Sequence, residues 1–286
     1  METVTYTNPR GETVTFGGPP FYLQSVTGLG DVTVQIQTQK SPFQDGSTYL
    51  DAILDEREVD IIFLIVADLE QNYGDVSKAR ARIAQICNPK LGPGILKYEN
   101  DYVVRIIDAV ASHVPIYGDD SDRTKTLQKS TLTFVAPDPY WKSLKVEEEP
   151  AFKPLFQFPF LGPFQMGLQQ DRRIINNDGD APTPIFVEFY GPALNPKIIN
   201  NTTGEFIKVD QELLEGERMV IDTSEENKSV FFVGENGEMR SVFHWIDLDS
   251  DFFKLCIGEN DIEYTADNDV QGAILNISYN KRYNAV

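Results

Sequence analysis

The sequence has 286 residues, of which 41% are hydrophobic, and its formal net charge is −19. This acidic balance argues against a nucleic-acid-binding surface, because such surfaces neutralise phosphates with Lys and Arg. Its apolar runs are too short to cross a bilayer and its N-terminus lacks a secretory signal, so we expect no membrane span and synthesis in the cytoplasm.

The first half of the chain predicts β-strands interrupted by one helix. Val32, Val34 and Ile36 alternate with polar residues, which is the period-two pattern of a strand with one buried face. The Gly-Leu-Gly sequence at residues 28–30 permits a tight bend ahead of this strand. Residues 59–67 are apolar on both faces and too few for an isolated helix, so they predict a central strand.

Apolar residues at three-and-four spacing between residues 76 and 87 predict an amphipathic helix. Asp75 or Ser77 can cap its start, and the Asn-Pro pair at residues 88–89 ends it. Further strands are predicted at residues 95–98, 102–107 and 125–136, of which the first two form a hairpin through residues 99–101.

A change in composition between residues 137 and 163 indicates a domain boundary. Prolines and aromatic residues cluster there, next to a short acidic run at residues 147–149. In residues 156–160, Phe alternates with Gln and Pro, which predicts a short strand or a linker attached to one domain. We therefore expect an N-terminal domain at residues 1–145 and a C-terminal domain at residues 146–286.

Short β-like segments separated by turn residues predict a β-sandwich for the C-terminal domain. They are residues 185–190, 206–209, 218–222, 229–232, 252–256 and 273–279. The expected fold class is mainly β with one or more short helices, with an α+β N-terminal domain. The charge is divided unevenly, since residues 1–145 hold 14 basic and 19 acidic side chains, whereas residues 146–286 hold 11 and 25.

The residue types that usually carry catalysis are sparse and scattered. Only His113 and His244 could act as imidazole bases, and no nucleophile motif accompanies them, which argues against a catalytic triad. Cys87 and Cys256 have no paired spacing with these histidines, which argues against a zinc site. Both cysteines lie in apolar patterns and predict buried free thiols.

One acidic segment partly matches a calcium-binding loop. Asp247, Asp249 and Asp251 fit its opening, but Phe and Gly stand where the sixth and twelfth positions require Gly and Glu. Residues 267–269 fail in a similar way, and residues 28–30 precede a strand instead of the helix that a dinucleotide-binding loop requires. An irregular calcium site stays open as an alternative to solvated acidic turns. We predict no catalytic, cofactor-binding or metal-ligating residue, and the sequence locates no ligand-binding residue.

Stretches rich in turn-forming residues recur along the chain in a defined order. They are residues 21–30, 136–141, 177–184, 191–205, 216–217 and 221–223. Their Gly, Pro, Asn and Asp residues restrict the backbone to turns and extended segments and supply no reacting group. The turn at residues 200–204, for example, predicts a hairpin between residues 198–199 and 206–207. Together these stretches resemble the siphovirus distal tail protein family.

The resemblance implies a non-enzymatic structural protein of the virion. Roughly residues 1–140 would pack side by side with other copies into a hexameric ring around the tail channel, and a galectin-like C-terminal β-sandwich would project outward. The implied partners are other copies of the chain, the tail tube protein, and a tail-associated lysin, fibre or other baseplate protein. DNA may pass through such a ring without being bound specifically.

Two other functions remain open from the residues alone. A carbohydrate-binding module that contacts the host cell surface would need aromatic side chains exposed together, with Trp141 and Trp245 as candidates. We expect core packing for both. A hydrolase would need a cleft that holds an unusually protonated carboxylate.

Overall fold

The computed structural model describes residues 2–66, 76–118, 124, 126–148, 152–153, 168–169, 172–267 and 274–286. The chain divides into two compact units, Met1–Leu144 with Tyr283–Val286, and Lys145–Arg282. The last four residues therefore lie in the first unit, which the division expected from the sequence did not foresee. They pack there because Arg57 donates a hydrogen bond to the carbonyl of Asn284 and Val286 contacts the first core.

The first unit is β-rich, as predicted. Its elements are β1 (Thr3–Thr7), β2 (Thr13–Phe16), β3 (Phe21–Val26), β4 (Val34–Gln39), β5 (Thr48–Leu54), β6 (Arg57–Val66), α1 (Val76–Ile86), a 3₁₀ turn (Pro89–Leu91), β7 (Gly94–Glu99), β8 (Val104–Ala111), β9 (Ile116–Tyr117), β10 (Leu127–Ala136) and β11 (Trp141–Lys142). The main path of its large sheet runs β2-β1-β7-β8-β10-β6-β3, and β4 and β5 form a separate two-stranded sheet.

Strand β6 has the central position that its apolar sequence predicted. It pairs with β10 along its whole length and with β3 on its other edge. Val59, Ile61, Phe63 and Ile65 are fully buried, and the alternate residues, except exposed Glu58, are partly buried.

Helix α1 begins and ends close to its predicted positions. It packs on β6 and β2 and buries Val76, Ala79, Ile83 and Ile86, the face expected from the spacing. Its C-terminal boundary is set by Asn88, whose side chain accepts a hydrogen bond from the backbone N–H of Lys90 as Pro89 starts the 3₁₀ turn. Ser77 lies inside the helix and not before it, and Asp75 lies outside the described residues.

The strand predicted around Val34 and Ile36 exists as β4, but the burial predicted for one of its faces is wrong. All six residues of β4 are exposed, and six of the seven residues of β5 are exposed as well. Period-two alternation identifies a strand but does not say which molecule covers its apolar face.

The second unit has the two sheets of a β-sandwich, as predicted. Its strands are β12 (Val146–Glu148), β13 (Phe152–Lys153), β14 (Leu168–Gln169), β15 (Arg172–Asn177), β16 (Ile185–Tyr190), β17 (Ala193–Leu194), β18 (Lys197–Asn200), β19 (Glu205–Lys208), β20 (Glu212–Leu213), β21 (Arg218–Asp222), β22 (Ser229–Val233), β23 (Met239–Ser241), β24 (Gly258–Thr265), β25 (Ile274–Tyr279) and β26 (Arg282–Tyr283), the last ending in the first unit. A sheet in the order β12-β25-β16-β21-β22-β23 and a sheet in the order β15-β24-β18-β19 share one apolar core.

Three details of the second unit bear on the sequence predictions. The hairpin expected around residues 200–204 is formed by β18 and β19, with Gly204 at a φ of +81°. Residues 252–256 do not form the predicted strand, because only Leu255 pairs there, in an isolated bridge with Thr183. The prediction for residues 156–160 lies outside the described residues. No helix in the described part of the chain has the length and apolar character needed to cross a membrane.

Candidate functional site

The most distinctive surface of the first unit is a hairpin formed by β4, β5 and the turn between them, which we call the arm (residues 33–55). Its two strands pair antiparallel with each other and belong to no other described sheet. The backbone N–H of Asp55 donates to the carbonyl of Thr33 at 2.9 Å, and the side chain of Gln35 donates to Asp55 at 2.6 Å, which closes the base of the arm.

The arm is amphipathic. Cross-strand partners project on the same face, so the pairs Val34–Leu54 and Ile36–Ala52 form an apolar face. The opposite face carries Gln35, Gln37 and Asp51, with Ile53 as its apolar member. Beyond the Gln37–Asp51 pair the pairing register shifts at a bulge in β5, where Leu50 is the extra residue.

The apolar face of the arm lies in solvent. The exposed fractions are 64% for Ile36 and 58% for Leu50, and Val34 and Tyr49 are exposed as well. At the tip, Phe43 is fully exposed and has a φ of +65°, a left-handed conformation that residues other than Gly, Asn and Asp rarely adopt. A soluble chain that displays apolar side chains together on one rigid element usually uses them for association.

At the root of the arm lies an open cavity of about 530 Å³, which we call the acidic hollow. Its lining residues are Thr27, Gly28, Asp31, Thr33, Asp55, Glu56, Glu58 and Asp60. Five of these eight carry carboxylates. Asp60 accepts a hydrogen bond from the hydroxyl of Thr133 at 2.5 Å, and Glu56 and Glu58 are exposed.

Arg57 holds the wall of the acidic hollow in place. Its guanidinium is buried and donates to the carbonyls of Gly28 at 2.9 Å, Pro139 at 2.6 Å and Asn284 at 2.7 Å. Burial lowers the pKa of Arg57, and the negative charge of Asp31 opposes that shift. Gly28 has a φ of +84°, and a Cβ there would lie 2.0 Å from the carbonyl oxygen of Glu58, so only glycine allows this approach.

The residues considered for catalysis do not come together. His113 is partly buried in the segment after β8, and exposed His244 lies on a 3₁₀ turn (Phe243–Trp245) of the second unit. Cys87 is buried and free, as predicted, and burial raises the pKa of its thiol to about 12. Cys256 is also free but only partly buried, which corrects the prediction that it is buried.

The acidic turn around Asp247 and the two tryptophans make contacts that stabilise the fold. The carboxylate of Asp247 accepts a hydrogen bond from the backbone N–H of Asp249 at 2.9 Å. Trp141 is fully buried in the first core, and Trp245 packs partly buried against the second, so the expected core packing is confirmed for both. Within the residues that the structure describes, no three His, Cys, Asp or Glu side chains are placed to hold a metal ion.

Comparison with known families gives matches to both units. Residues 178–283 match the siphovirus-type tail component, C-terminal domain, and residues 10–136 match the phage tail protein RIFT-related domain. The chain belongs to the siphovirus distal tail protein family. This confirms the resemblance carried by the turn-rich stretches, and it makes the chain a structural component of a phage tail and of the virion.

Solved structures share the fold of this chain over almost its full length. The Dit protein (gp 19.1) of phage SPP1, described as a paradigm of the hub of the adsorption apparatus in phages that infect Gram-positive bacteria, aligns with a TM-score of 0.70 and 14% identity, covering 99% of each chain. Chains of the phage P2 baseplate in its activated conformation, with Ca and with Sr, align with TM-scores of 0.57 and 0.56 at 11% and 12% identity, covering 97% of each chain. No curated protein sequence matches this chain.

Proposed function

We propose that six copies of this chain form a closed ring at the distal end of the tail, which connects the tail tube to tail-tip or baseplate proteins. The observation that carries the proposal is the exposed apolar face of the arm. It is a hydrogen-bonded hairpin whose sequence has the alternation of a half-buried strand, yet the chain itself leaves it in solvent. Another chain is needed to cover it.

The relatives support a role in a larger assembly. The SPP1 protein is described as a hub of an adsorption apparatus, and the P2 chains are parts of a baseplate. A hub that joins a tube to a tip must bind copies of itself and proteins on both sides. In a closed ring, neighbouring copies are joined by one repeated contact. Each copy then needs two different surfaces that are complementary to each other.

The two parts of the chain would have different roles. We propose that residues 1–145, which contain the arm, form the ring and that the galectin-like residues 146–286 project outward. The outer part then carries most of the negative charge, which favours solubility and discourages adhesion to anionic surfaces. We propose no specific nucleic-acid binding, and assembly of the ring in the host cytoplasm.

We also propose that the chain acts through its surfaces and not by catalysis. Catalytic cysteines are activated by a lowered pKa, whereas the buried thiol of Cys87 has its pKa raised to about 12. The other candidates, His113 and His244, lie in different units, and the hydroxyl of Ser112, next to His113 in the sequence, donates its hydrogen bond to the carbonyl of Thr133.

Size-exclusion chromatography with light scattering tests the ring. We expect a species of about 194 kDa, six times the 32.3 kDa of one chain, whose population grows with protein concentration. A mass of one chain at every concentration up to ~100 μM, with or without the tail tube protein, would contradict the proposal.

A further inference from the structure

We propose that the apolar face of the arm of one copy packs on the outer surface of the sheet that β3, β6, β10 and β9 form in the next copy. This inference rests on the proposed ring and names the two surfaces that make its repeated contact. Both surfaces belong to the first unit.

Strand β6 has one face in the first core and one face outside it. Its residues 59, 61, 63 and 65 are buried in that core, and successive side chains of a strand point to opposite faces, so the residues between them point away from the core. On this second face, Glu58 and Asp60 line the acidic hollow. The three positions that follow are all apolar and only partly buried, and they lie outside the core that the described residues form: Ile62, Leu64 and Val66.

The neighbouring strands extend this apolar face. Directly paired residues of adjacent strands lie on the same side of a sheet, and Leu64 pairs with Tyr22 of β3. Ile62 pairs with Thr131 of β10, and Thr131 pairs on its other side with Ile116 of β9. Tyr22 is 41% exposed and Ile116 is 57% exposed. We call the apolar members of this face the outer patch: Tyr22, Ile62, Leu64, Val66 and Ile116.

The first core lies on the other side of this sheet. The buried residues of α1 share that core with β6, so the helix packs on the side opposite the outer patch. A strand that is apolar on both faces is typical of a sheet that is covered on both sides. Among the residues that the structure describes, the core covers β6 on one side only. A second chain is therefore needed to cover the outer patch, as it is for the apolar face of the arm.

The arm and the outer patch fit each other in shape. The arm is a sheet of two strands whose apolar face is formed by Val34, Ile36, Ala52 and Leu54. The outer patch crosses four adjacent strands, about 14 Å at the usual strand spacing, so it is wide enough to cover that face. Two sheets that pack face to face bury their facing side chains between them.

The charges favour another copy of this acidic chain as the occupant. Lys129 of β10 pairs with Leu64, so it lies beside the outer patch; it is exposed and forms no ion pair with any residue that the structure describes. Residues 33–54 of the arm carry only Lys40, Asp45 and Asp51, although the chain has a net charge of −19. An arm that is nearly neutral approaches this cation without the repulsion that two acidic copies would otherwise feel.

The arm and the outer patch lie at opposite ends of the outer face of β6. The arm ends at residue 55, just before β6 begins, and the acidic hollow at its root takes the first part of that face. The outer patch takes the remaining part. Because the two surfaces are different, the contact between them is head-to-tail, which is the geometry that closes into a ring.

A photo-crosslinker on the arm tests which surface it contacts. The substitution Ile36→p-benzoylphenylalanine keeps an apolar side chain on the apolar face and adds a group that inserts into C–H bonds in contact with it. Rings assembled from a mixture of isotopically light and heavy chains should give crosslinks between two different chains. We expect these crosslinks, mapped by mass spectrometry, in peptides that contain Tyr22, residues 62–66 or Ile116.

The matched control places the same group on the other face of the arm. Gln37 is exposed and neighbours Ile36, but its side chain points to the opposite side of β4. We expect Gln37→p-benzoylphenylalanine to give roughly tenfold fewer crosslinks to the outer patch, because side chains on the far face do not reach it.

Exchange of charges tests the same pairing by affinity. Ile36 and Ile116 are exposed, so I36E and I116K should fold with unchanged circular dichroism. Each variant alone should raise the apparent dissociation constant of the ring roughly 100-fold, because every contact then buries a charge against apolar side chains.

An equimolar mixture of I36E and I116K should recover the mass of the wild-type ring in light scattering. In a ring that alternates the two variants, half of the contacts are unchanged and the other half join Glu to Lys. The matched control is I36K mixed with I116K, in which those contacts join two cations, and this mixture should stay dissociated.

The outcomes separate the contact from the ring. If the wild type forms rings but the crosslinks from residue 36 map away from the outer patch, or I116K assembles as well as the wild type, the assigned contact is wrong although the ring stands. Crosslinks confined to single chains would mean that the arm covers its own sheet, which also overturns the contact. If the wild type forms no ring under any condition, the proposed function itself fails.

Discussion

Replacing Arg57 by Met tests whether one buried guanidinium holds the root of the arm to the rest of the first unit. The Met side chain replaces the aliphatic part of Arg57 with an apolar chain, but it donates no hydrogen bond. The carbonyls of Gly28, Pro139 and Asn284 then lose their donor. These three residues are distant in sequence, so the substitution removes a tie between separate segments of the first unit.

The expected loss in the free energy of unfolding depends on how deeply each of the three carbonyls is buried. The hydrogen bond to Gly28 is buried, and those to Pro139 and Asn284 are partly buried. A buried acceptor left without a donor costs about 1–3 kcal/mol, and a partly wetted one costs less. Part of this loss is offset because the variant no longer buries a charge, the same desolvation that lowers the pKa of Arg57. We expect a net loss of about 3 kcal/mol in the free energy of unfolding.

Urea denaturation followed by tryptophan fluorescence measures this loss in the first unit alone. The chain has two tryptophans, and a W245F background leaves only Trp141, which is buried in the first core. With a slope of about 2 kcal/mol per molar urea, the midpoint of R57M should fall by about 1.5 M. At ~1 μM protein, assembly should not contribute.

Two control variants sharpen the interpretation. R57K keeps the charge but reaches fewer carbonyls with its single ammonium group, so we expect about half of the loss. R10M removes an exposed arginine and should change stability by less than about 0.5 kcal/mol. An unchanged midpoint for R57M would refute the reasoning, since it would mean that water satisfies all three carbonyls.

Three further predictions concern single residues of the first unit. G28A should lose at least ~2 kcal/mol in the same urea assay, because its Cβ would overlap the carbonyl oxygen of Glu58, whereas G46A, with open space around it and a φ of +75°, should lose about 1 kcal/mol. Burial lowers the pKa of Lys142, but two neighbouring carboxylates outweigh it and leave the pKa raised above 10.5. While both carboxylates are ionised, the stability that Lys142 contributes relative to K142M should therefore be fully present below pH 10.5 and disappear as the pH rises through the raised pKa. With its pKa raised to about 12, Cys87 should have a thiolate fraction about a thousandfold smaller than an ordinary thiol and react with iodoacetamide only on unfolding, as followed by mass spectrometry.

Each of these predictions has a clear negative result. Equal losses for the two glycine variants would mean that the chain relaxes around residue 28. A stability difference between wild type and K142M that grows as the pH rises above 10.5 would reverse the sign of the linkage. Modification of Cys87 in the native protein at the rate of Cys256 would show that the thiol is not buried.

The β6 strand and the β16 and β21 strands could be predicted from the sequence because their pattern and their burial agree. Residues 61–67 are apolar without interruption, and β6 (Arg57–Val66) lies between two strands. β16 and β21 alternate in period two between turn residues, and their predicted bounds match the structure. The local pattern is sufficient to predict a strand and its buried face wherever the core of the same chain covers that face.

Strand β24 (Gly258–Thr265) was missed because a polar residue occupies one of its buried positions. Asn260 is fully buried, and its amide donates to the carbonyls of Cys256 and Gly258 at 2.8 and 2.9 Å. This Asn stabilises the turn that leads into the strand, but in the sequence it interrupts the apolar alternation. Turn chemistry and strand periodicity overlap here, so the pattern resembles a loop.

The candidate site could be predicted only in part. Alternation around Ile36 correctly indicated a strand, but whether its apolar face lies against the same chain or another one is a matter of tertiary structure. The bond from Arg57 to Asn284 spans 227 positions in the sequence, and no local pattern reports a contact of that range. The acidic hollow likewise collects residues from the turn around Gly28 and from both ends of the arm.

Negative-stain electron microscopy of the purified full chain at ~100 μM tests the central claim most directly. The account predicts closed rings with six subunits in class averages of the wild type. In I36S/L50S, which removes the apolar face of the arm, the same images should show single subunits. Wild-type particles no larger than one 32.3 kDa chain, or rings that persist in I36S/L50S, would contradict it.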